Sequence, residues 1–302
     1  MSEHPIVACY RGLDSADAVQ LGALLARALD EPLVIAGAYR YEPTGLSARA
    51  LPPPDNTRRA AAVQSALHRA RALAGPDVDV REQTVASTGV AAVLAGLARD
   101  VDASILVLGR DTQGHVTRSL VPRAPCAVAV APLSVPLPQI GSLERIGVAY
   151  DGSPTARAAL VAATRLAELT GAGLVLLAAA HTAEHAATWL HDARLSLHGT
   201  VEYQTRALVG DASATLAQVT DELDLLVCGS RGRRHPLAAV LGSVSAHLVA
   251  HARCPVLVVP PGVERSTTAP LGITSAAASA STCGELRAGA RDIAAGARAS
   301  RS

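Results

Sequence analysis

The chain has 302 residues, 49% of them hydrophobic, with Ala and Val supplying much of that share and no Phe at all. This length suits two domains of ordinary size, with cores built from small aliphatic side chains. A formal net charge of +1 and an aromatic content of 2% argue against a nucleic-acid or anionic-membrane binder, which needs a basic surface or stacking rings. The five cysteines, Cys9, Cys126, Cys228, Cys254 and Cys283, lack Cys-x-x-Cys spacing, as expected of reduced thiols and not of a zinc site. No basic stretch followed by a long apolar run opens the chain, and no apolar run approaches the roughly 18–20 residues of a membrane span. A cytoplasmic protein is expected.

Residues 6–10 are a short apolar β-type run, followed by Arg11-Gly12, a helical pattern over 15–29 and a second strand over 33–38. Residues 43–55, with Pro52, Pro53 and Pro54, read as a loop. A helix over 90–99, a strand over 104–109 and a last strand over 126–132 complete the first half. Residues 133–142, with Pro136 and Pro138, read as a linker. The same order then returns: a strand over 146–150 followed by Asp151-Gly152, a helix over 155–170, a strand over 174–180, a helix over 212–223, and strands over 224–229 and 254–260. Strands alternating with helices at this pitch predict parallel β-α units. The fold expected is therefore α/β, with two tandem doubly wound open parallel-sheet (Rossmann-like) domains at 1–132 and 143–261. Residues 262–302 have few large apolar groups and are expected to form a disordered tail.

The most specific signal follows the strand at 224–229. Gly229 and Gly232 stand three apart, a nine-residue spacer follows, and Gly242-Ser243 opens a helical pattern. A strand running into a glycine loop and then a helix places backbone N–H groups around an anion. Glycines without Cβ let the chain turn and approach a phosphate. Ser243 and Ser245 add hydroxyl donors at a helix N-terminus, where N–H groups lack partners and the dipole favours negative charge. This Gly-x2-Gly-x9-Gly-Ser string resembles that of the nucleotide-binding members of the universal stress protein family. Gly229, Gly232, Gly242 and Ser243 fill it without a gap, and the flanking Asp224 and Cys254-Pro255 fit as well.

The resemblance implies the universal stress protein type of fold in both halves and a site for ATP, with Mg²⁺ or Mn²⁺, in the second. It implies contacts from Ala149, Tyr150, Asp151, Ala179, Gly229, Arg231, Gly232, Arg233, Gly242, Ser243, Val244 and Ser245. Asp151, at a strand's carboxyl end, is implied to accept hydrogen bonds from ribose hydroxyls or the adenine amino group. One or both of Arg231 and Arg233 are implied to face the phosphates. Ligands of open α/β sheets do sit outside the strands' carboxyl ends, at the point where strand order reverses. The competing reading makes Asp151 a plain turn or cap residue before Gly152-Ser153-Pro154.

The first half departs from this pattern. Arg11 stands where Asp151 stands, and the loop after Gly109 reaches its last strand sooner, without the second glycine, the spacer or the Gly-Ser step. One competent site is expected, not two. Gly109-x4-Gly114 has His115 where a P-loop requires Lys. His247 and His251 lack a third ligand, and His181, His185, His191 and His198 match no ligand spacing. No nucleophile elbow, acid/base carboxylate pair or His-Glu-x-x-His occurs. A nucleotide-dependent stress-response sensor or regulator is therefore expected, not an enzyme. A slow ATPase or nucleotide-transferring enzyme, and a non-binding interaction module, are the alternatives. The apolar strands over 127–130 and 256–259 end their domains at edges that invite pairing. Since dimers of the resembled family form through this strand, an internal pseudo-dimer is implied, with a homodimer of chains as a further option.

Overall fold

A computed structural model of the chain describes residues 4–12, 15–42, 55–87, 89–109, 115–132, 143–197, 201–230 and 241–261, all within one compact unit, Ser2–Thr268. The expected linker and tail, and most of the proline loop, lie outside the described residues. The first half runs β1 (Ile6–Cys9), α1 (Ala16–Leu29), β2 (Leu33–Arg40), α2 (Asn56–Ala70), β3 (Val80–Ser87), α3 (Val90–Asp100), β4 (Ile105–Leu108), α4 (His115–Leu120) and β5 (Ala127–Val130). The second runs β6 (Arg145–Ala149), α5 (Pro154–Thr170), β7 (Gly173–Ala180), α6 (Ala183–Ser196), β8 (Tyr203–Val209), α7 (Ala212–Gln218), β9 (Leu225–Gly229), α8 (Ser243–His251) and β10 (Val256–Val259).

The strands form a single sheet in the order β3-β2-β1-β4-β5-β10-β9-β6-β7-β8. Every pairing within a half is parallel, and each half is doubly wound about its own first strand. The halves meet where β10 runs antiparallel to β5, with Val256, Leu257 and Val258 opposite Val130, Ala129 and Val128. These six residues are at most 2% exposed. Without that pairing each half would present an unpaired apolar edge.

Alternation along the strands divides the core into two layers. Ile6, Ala8, Ile146 and Val148 face one layer, with α1, α2, α5 and α6. Val7, Cys9, Leu106 and Leu226 face the other, with α3, α4, α7 and α8. The helix α5 shows why small residues suffice. Ser153 caps it by accepting from the Ala156 N–H at 3.2 Å, and Pro154 occupies its first position, where no N–H partner is needed. Gly171 ends it in a left-handed conformation, φ 73°. Ala158, Ala159, Ala162 and Ala163 are buried between these ends, so the helix axis can lie close to the sheet. The edge strands β3 and β8 and the helices α2, α4 and α6 are the elements that periodicity left unplaced. Both edge strands carry charged or amide side chains (Arg81, Glu82, Gln83; Gln204, Arg206), which blurs a strand pattern.

Candidate functional site

In the second half the strand order reverses at β6, with β7 on one side and β9 on the other. Ala149 lies opposite Cys228, so Tyr150-Asp151 and Gly229-Ser230 leave the sheet at neighbouring strand ends. The Tyr150 N–H donates to the Leu177 carbonyl at 2.8 Å, which prolongs the pairing with β7 toward Ala179. Five of the expected residues, Ala149, Tyr150, Asp151, Ala179 and Gly229, are thus carried to one end of the sheet.

Asp151 is half-buried, and its Oδ1 accepts from the Ser153 N–H at 2.9 Å. Gly152 permits this turn through its φ of 73°. Asp151 is therefore a turn residue by geometry while it also stands at the mouth of the crevice.

Gly229 is required for a reason the motif alone does not reveal. A Cβ there would lie 2.6 Å from Thr155 Oγ1 and 2.7 Å from the Thr155 carbonyl carbon. Its bare Cα lets the first turn of α5 pack against the end of β9. Beyond it, the Ser230 N–H donates to the Val259 carbonyl at 2.9 Å, and the Ser230 carbonyl accepts from the Gly242 N–H at 2.8 Å. The start of α8 is thereby tied back to the end of β9. Ser245, 3% exposed, completes that closure: its hydroxyl lies 3.0 Å from the Ser230 carbonyl and 3.1 Å from that of Gly242. Ser245, expected to offer its hydroxyl to an anion, here donates inward to the loop's own carbonyls. Ser243, at the first position of α8, is exposed, and Val244 packs against the core. Arg231, Gly232 and Arg233 lie outside the described residues.

Four participants were not read from the sequence. Ser230 Oγ is buried without a hydrogen-bond partner among the described residues, which is uncommon for a native hydroxyl. Thr155 packs against Gly229. Tyr150, 2% exposed, donates its hydroxyl to Asp192 Oδ2 at 2.5 Å, and Arg157 Nη2 lies 3.2 Å from the same oxygen. Burial, then the bond to Asp192, raises the Tyr150 hydroxyl above its ordinary pKa. The adjacency of Ser230 to Gly229 could have flagged it. Asp192 and Arg157 come together only through the packing of α6 on α5, and no local spacing announces that.

Among the described residues no group of three or more His, Cys, Asp or Glu side chains could hold a metal. His247 and His251 stack with ring centroids 4.1 Å apart, and His181, His185 and His191 are exposed. Cys9, Cys126, Cys228 and Cys254 are buried, and burial pushes each thiol up to about 12. No helix among the described residues is long and apolar enough to cross a membrane. In the first half Arg11 is exposed at the place Asp151 takes in the second.

The fold defines a doubly wound α/β protein in which Asp151 and Gly229 leave neighbouring strand ends at a strand-order reversal. Residues 177–260 match the model of the Universal stress protein family. The matched segment runs from β7 through the glycine loop to the end of β10. Among solved structures, it is similar to a universal stress protein from Archaeoglobus fulgidus DSM 4304, at 16% identity and a TM-score of 0.64, covering 85% of this chain and 96% of that one. A protein of unknown function from Pseudomonas aeruginosa PAO1 is 15% identical with a TM-score of 0.57, covering 88% and 98%. These likenesses extend the shared fold over both halves. A universal stress protein in complex with cAMP is 27% identical, covering 39% of this chain and 98% of its own, with a TM-score of 0.33. No curated protein matches the chain.

Proposed function

We propose that the second half binds an adenine nucleotide, ATP with Mg²⁺ or Mn²⁺, and that the chain acts as a nucleotide-dependent sensor or regulator, not as an enzyme. The observation that carries this reading is the closure of the glycine loop on Ser230. It holds the start of α8, with exposed Ser243 and unpaired first-turn N–H groups, beside the strand end that bears Asp151. Asp151 would hold the nucleoside end, and the main chain from Gly229 to Ser243 the phosphates. Ser230 Oγ, buried and without a partner among the described residues, is a polar atom that fits an added acceptor. Arg231 and Arg233 would add cationic charge beyond Arg157, which is held by Asp192. The described residues include no metal-ligand cluster, so the cation would be carried on the phosphate oxygens, as is usual for Mg²⁺. The antiparallel joint of β5 and β10 supports treating the two halves as an internal pseudo-dimer.

Calorimetry with ATP, with and without Mg²⁺, tests the reading. ATP is expected to bind the full chain with micromolar affinity, and binding is expected to disappear in Asp151→Ala and in Gly242→Val, which places a side chain at a buried loop position. Unchanged affinity in both variants would refute the placement.

A further inference from the structure

The first half carries no glycine loop of this kind, yet it retains a crevice at its own strand-order reversal, between β1 and β4. A cavity of about 40 Å³ lies there. Its walls are largely aliphatic, from Ala38, Val90, Leu94 and Leu108, and Arg11 stands among its lining residues.

We propose that this cavity is a binding site in its own right, for a small carboxylate with a short aliphatic body. The polarity at its mouth is the reverse of that in the second half. Arg11 replaces Asp151, is exposed, and makes no ion pair or hydrogen bond among the described residues. A guanidinium presents two parallel donors that match a carboxylate.

The second observation concerns Ser15. It precedes α1 as the capping residue, yet its side chain makes no capping bond, the role a serine normally takes there. It is 7% exposed, its hydroxyl has no partner among the described residues, and it lines the cavity. The residue is buried while its hydroxyl opens on the cavity, where it can donate to a bound acceptor. The first turn of α3 adds to this: Val90 and Leu94 line the cavity, so the helix presents its N-terminal end, favourable to negative charge, toward the same space.

Size selects the ligand. About 40 Å³ accommodates roughly three water-sized groups, at about 10–15 Å³ each. That takes the two- or three-carbon body of such a ligand, leaves its carboxylate at the mouth beside Arg11, and excludes a nucleoside. The aliphatic walls favour an alkyl chain over inorganic phosphate, whose oxygens would face carbon on most sides.

The test uses the full-length chain and sodium butyrate, followed by calorimetry and by chemical-shift changes of methyl groups lining the cavity. Butyrate is expected to bind the wild type and Asp151→Ala equally, because the site owes nothing to the nucleotide crevice. Arg11→Gln, an exposed substitution that leaves the fold intact, is expected to weaken binding about tenfold or more. Ser15→Ala is expected to weaken it by a smaller factor. Four outcomes would overturn the proposal: no butyrate binding at tens of millimolar, equal affinity in Arg11→Gln, displacement by inorganic phosphate as effective as by butyrate itself, or displacement by ATP in the Asp151→Ala background.

Discussion

Gly229 provides a quantitative check on how the crevice is built. In Gly229→Ala the new methyl would sit 2.6 Å from Thr155 Oγ1, 2.7 Å from the Thr155 carbonyl carbon and 2.8 Å from its Cβ. Two of those three atoms are fixed by the backbone of α5, so the strand end or the helix must move. Overpacking of this kind costs about 1–3 kcal/mol. For a unit of this size, the corresponding fall in melting temperature is about 3–10 °C. Two other glycines calibrate the effect. A Cβ at Gly147 would meet Leu223 Cδ1 at 2.4 Å, the far end of a side chain that can rotate, so Gly147→Ala is expected to cost less despite the shorter distance. A Cβ at Gly173 would meet only the Glu144 carbonyl oxygen, at 3.8 Å, so Gly173→Ala is expected to be neutral or slightly stabilising. The assay is urea and thermal unfolding of all three variants, plus Gly229→Ala combined with Thr155→Ala. The double variant removes Oγ1 but leaves the carbonyl carbon and Cβ in place, so little stability should return. If Gly229→Ala melts with the wild type, or if Thr155→Ala restores it fully, the close approach of α5 to β9 is not what demands a glycine.

Two further outcomes follow from burial. Because Cys9, Cys126, Cys228 and Cys254 have thiols pushed up to about 12 by burial, a Cys283→Ser variant should show essentially no thiol labelling by a disulfide reagent until it is unfolded; rapid labelling of the native variant would contradict the burial. Glu31 is raised above the ordinary glutamate range, first by burial and against the hydrogen bond from Ser104 and the charge of His4. A raised carboxyl favours the folded state when protonated, so its contribution is fully present below the unfolded pKa and is lost as pH rises through the folded pKa. Glu31→Gln should therefore match the wild type near pH 4 and be the more stable of the two near pH 7, and urea melts giving the opposite order would refute the assignment.

The parts of the fold visible in the sequence were those whose side chains alternate in burial or lie wholly in the core. β1, β4, β9 and β10 are apolar from end to end, because parallel strands inside a sheet are covered on both faces. β8 is exposed along most of its length, so its sequence carries no such mark. Within the site, main-chain requirements left a trace: a glycine or a Gly-Ser step is legible because few residues satisfy that backbone. The inward turn of Ser245 was not legible. A serine two residues into a helix can donate outward to a ligand or inward to a carbonyl, and only the return of α8 to Ser230 decides. The bond between Tyr150 and Asp192 was hidden for a related reason, since Asp192 reaches Tyr150 only through the packing of α6 on the sheet.

The antiparallel joint has a consequence for how two crevices in one chain can influence each other. Because β5 and β10 run in opposite directions while each half is internally parallel, the carboxyl ends of the two sets of strands point to opposite ends of the sheet. The Asp151 crevice and the Arg11 cavity therefore cannot share a ligand. Contact between them has to pass through protein, and one contiguous path is present. Gly229 packs on Thr155 at the start of α5, and a Cβ on Gly109 would lie 3.3 Å from the Cα of Ser15 at the start of α1. The helices α1 and α5 in turn pack on each other. Each loop glycine thus bears on the first turn of a helix, and those two helices touch across the joint. A ligand that shifts the end of β9 would press on α5, and through it on α1 and Ser15, whereas a ligand too small to move either strand end would leave the other half unaffected. Coupling along such a path requires a displacement of packed backbone, not a field between charges at opposite ends of the sheet, which solvent ions would screen within about 8–10 Å.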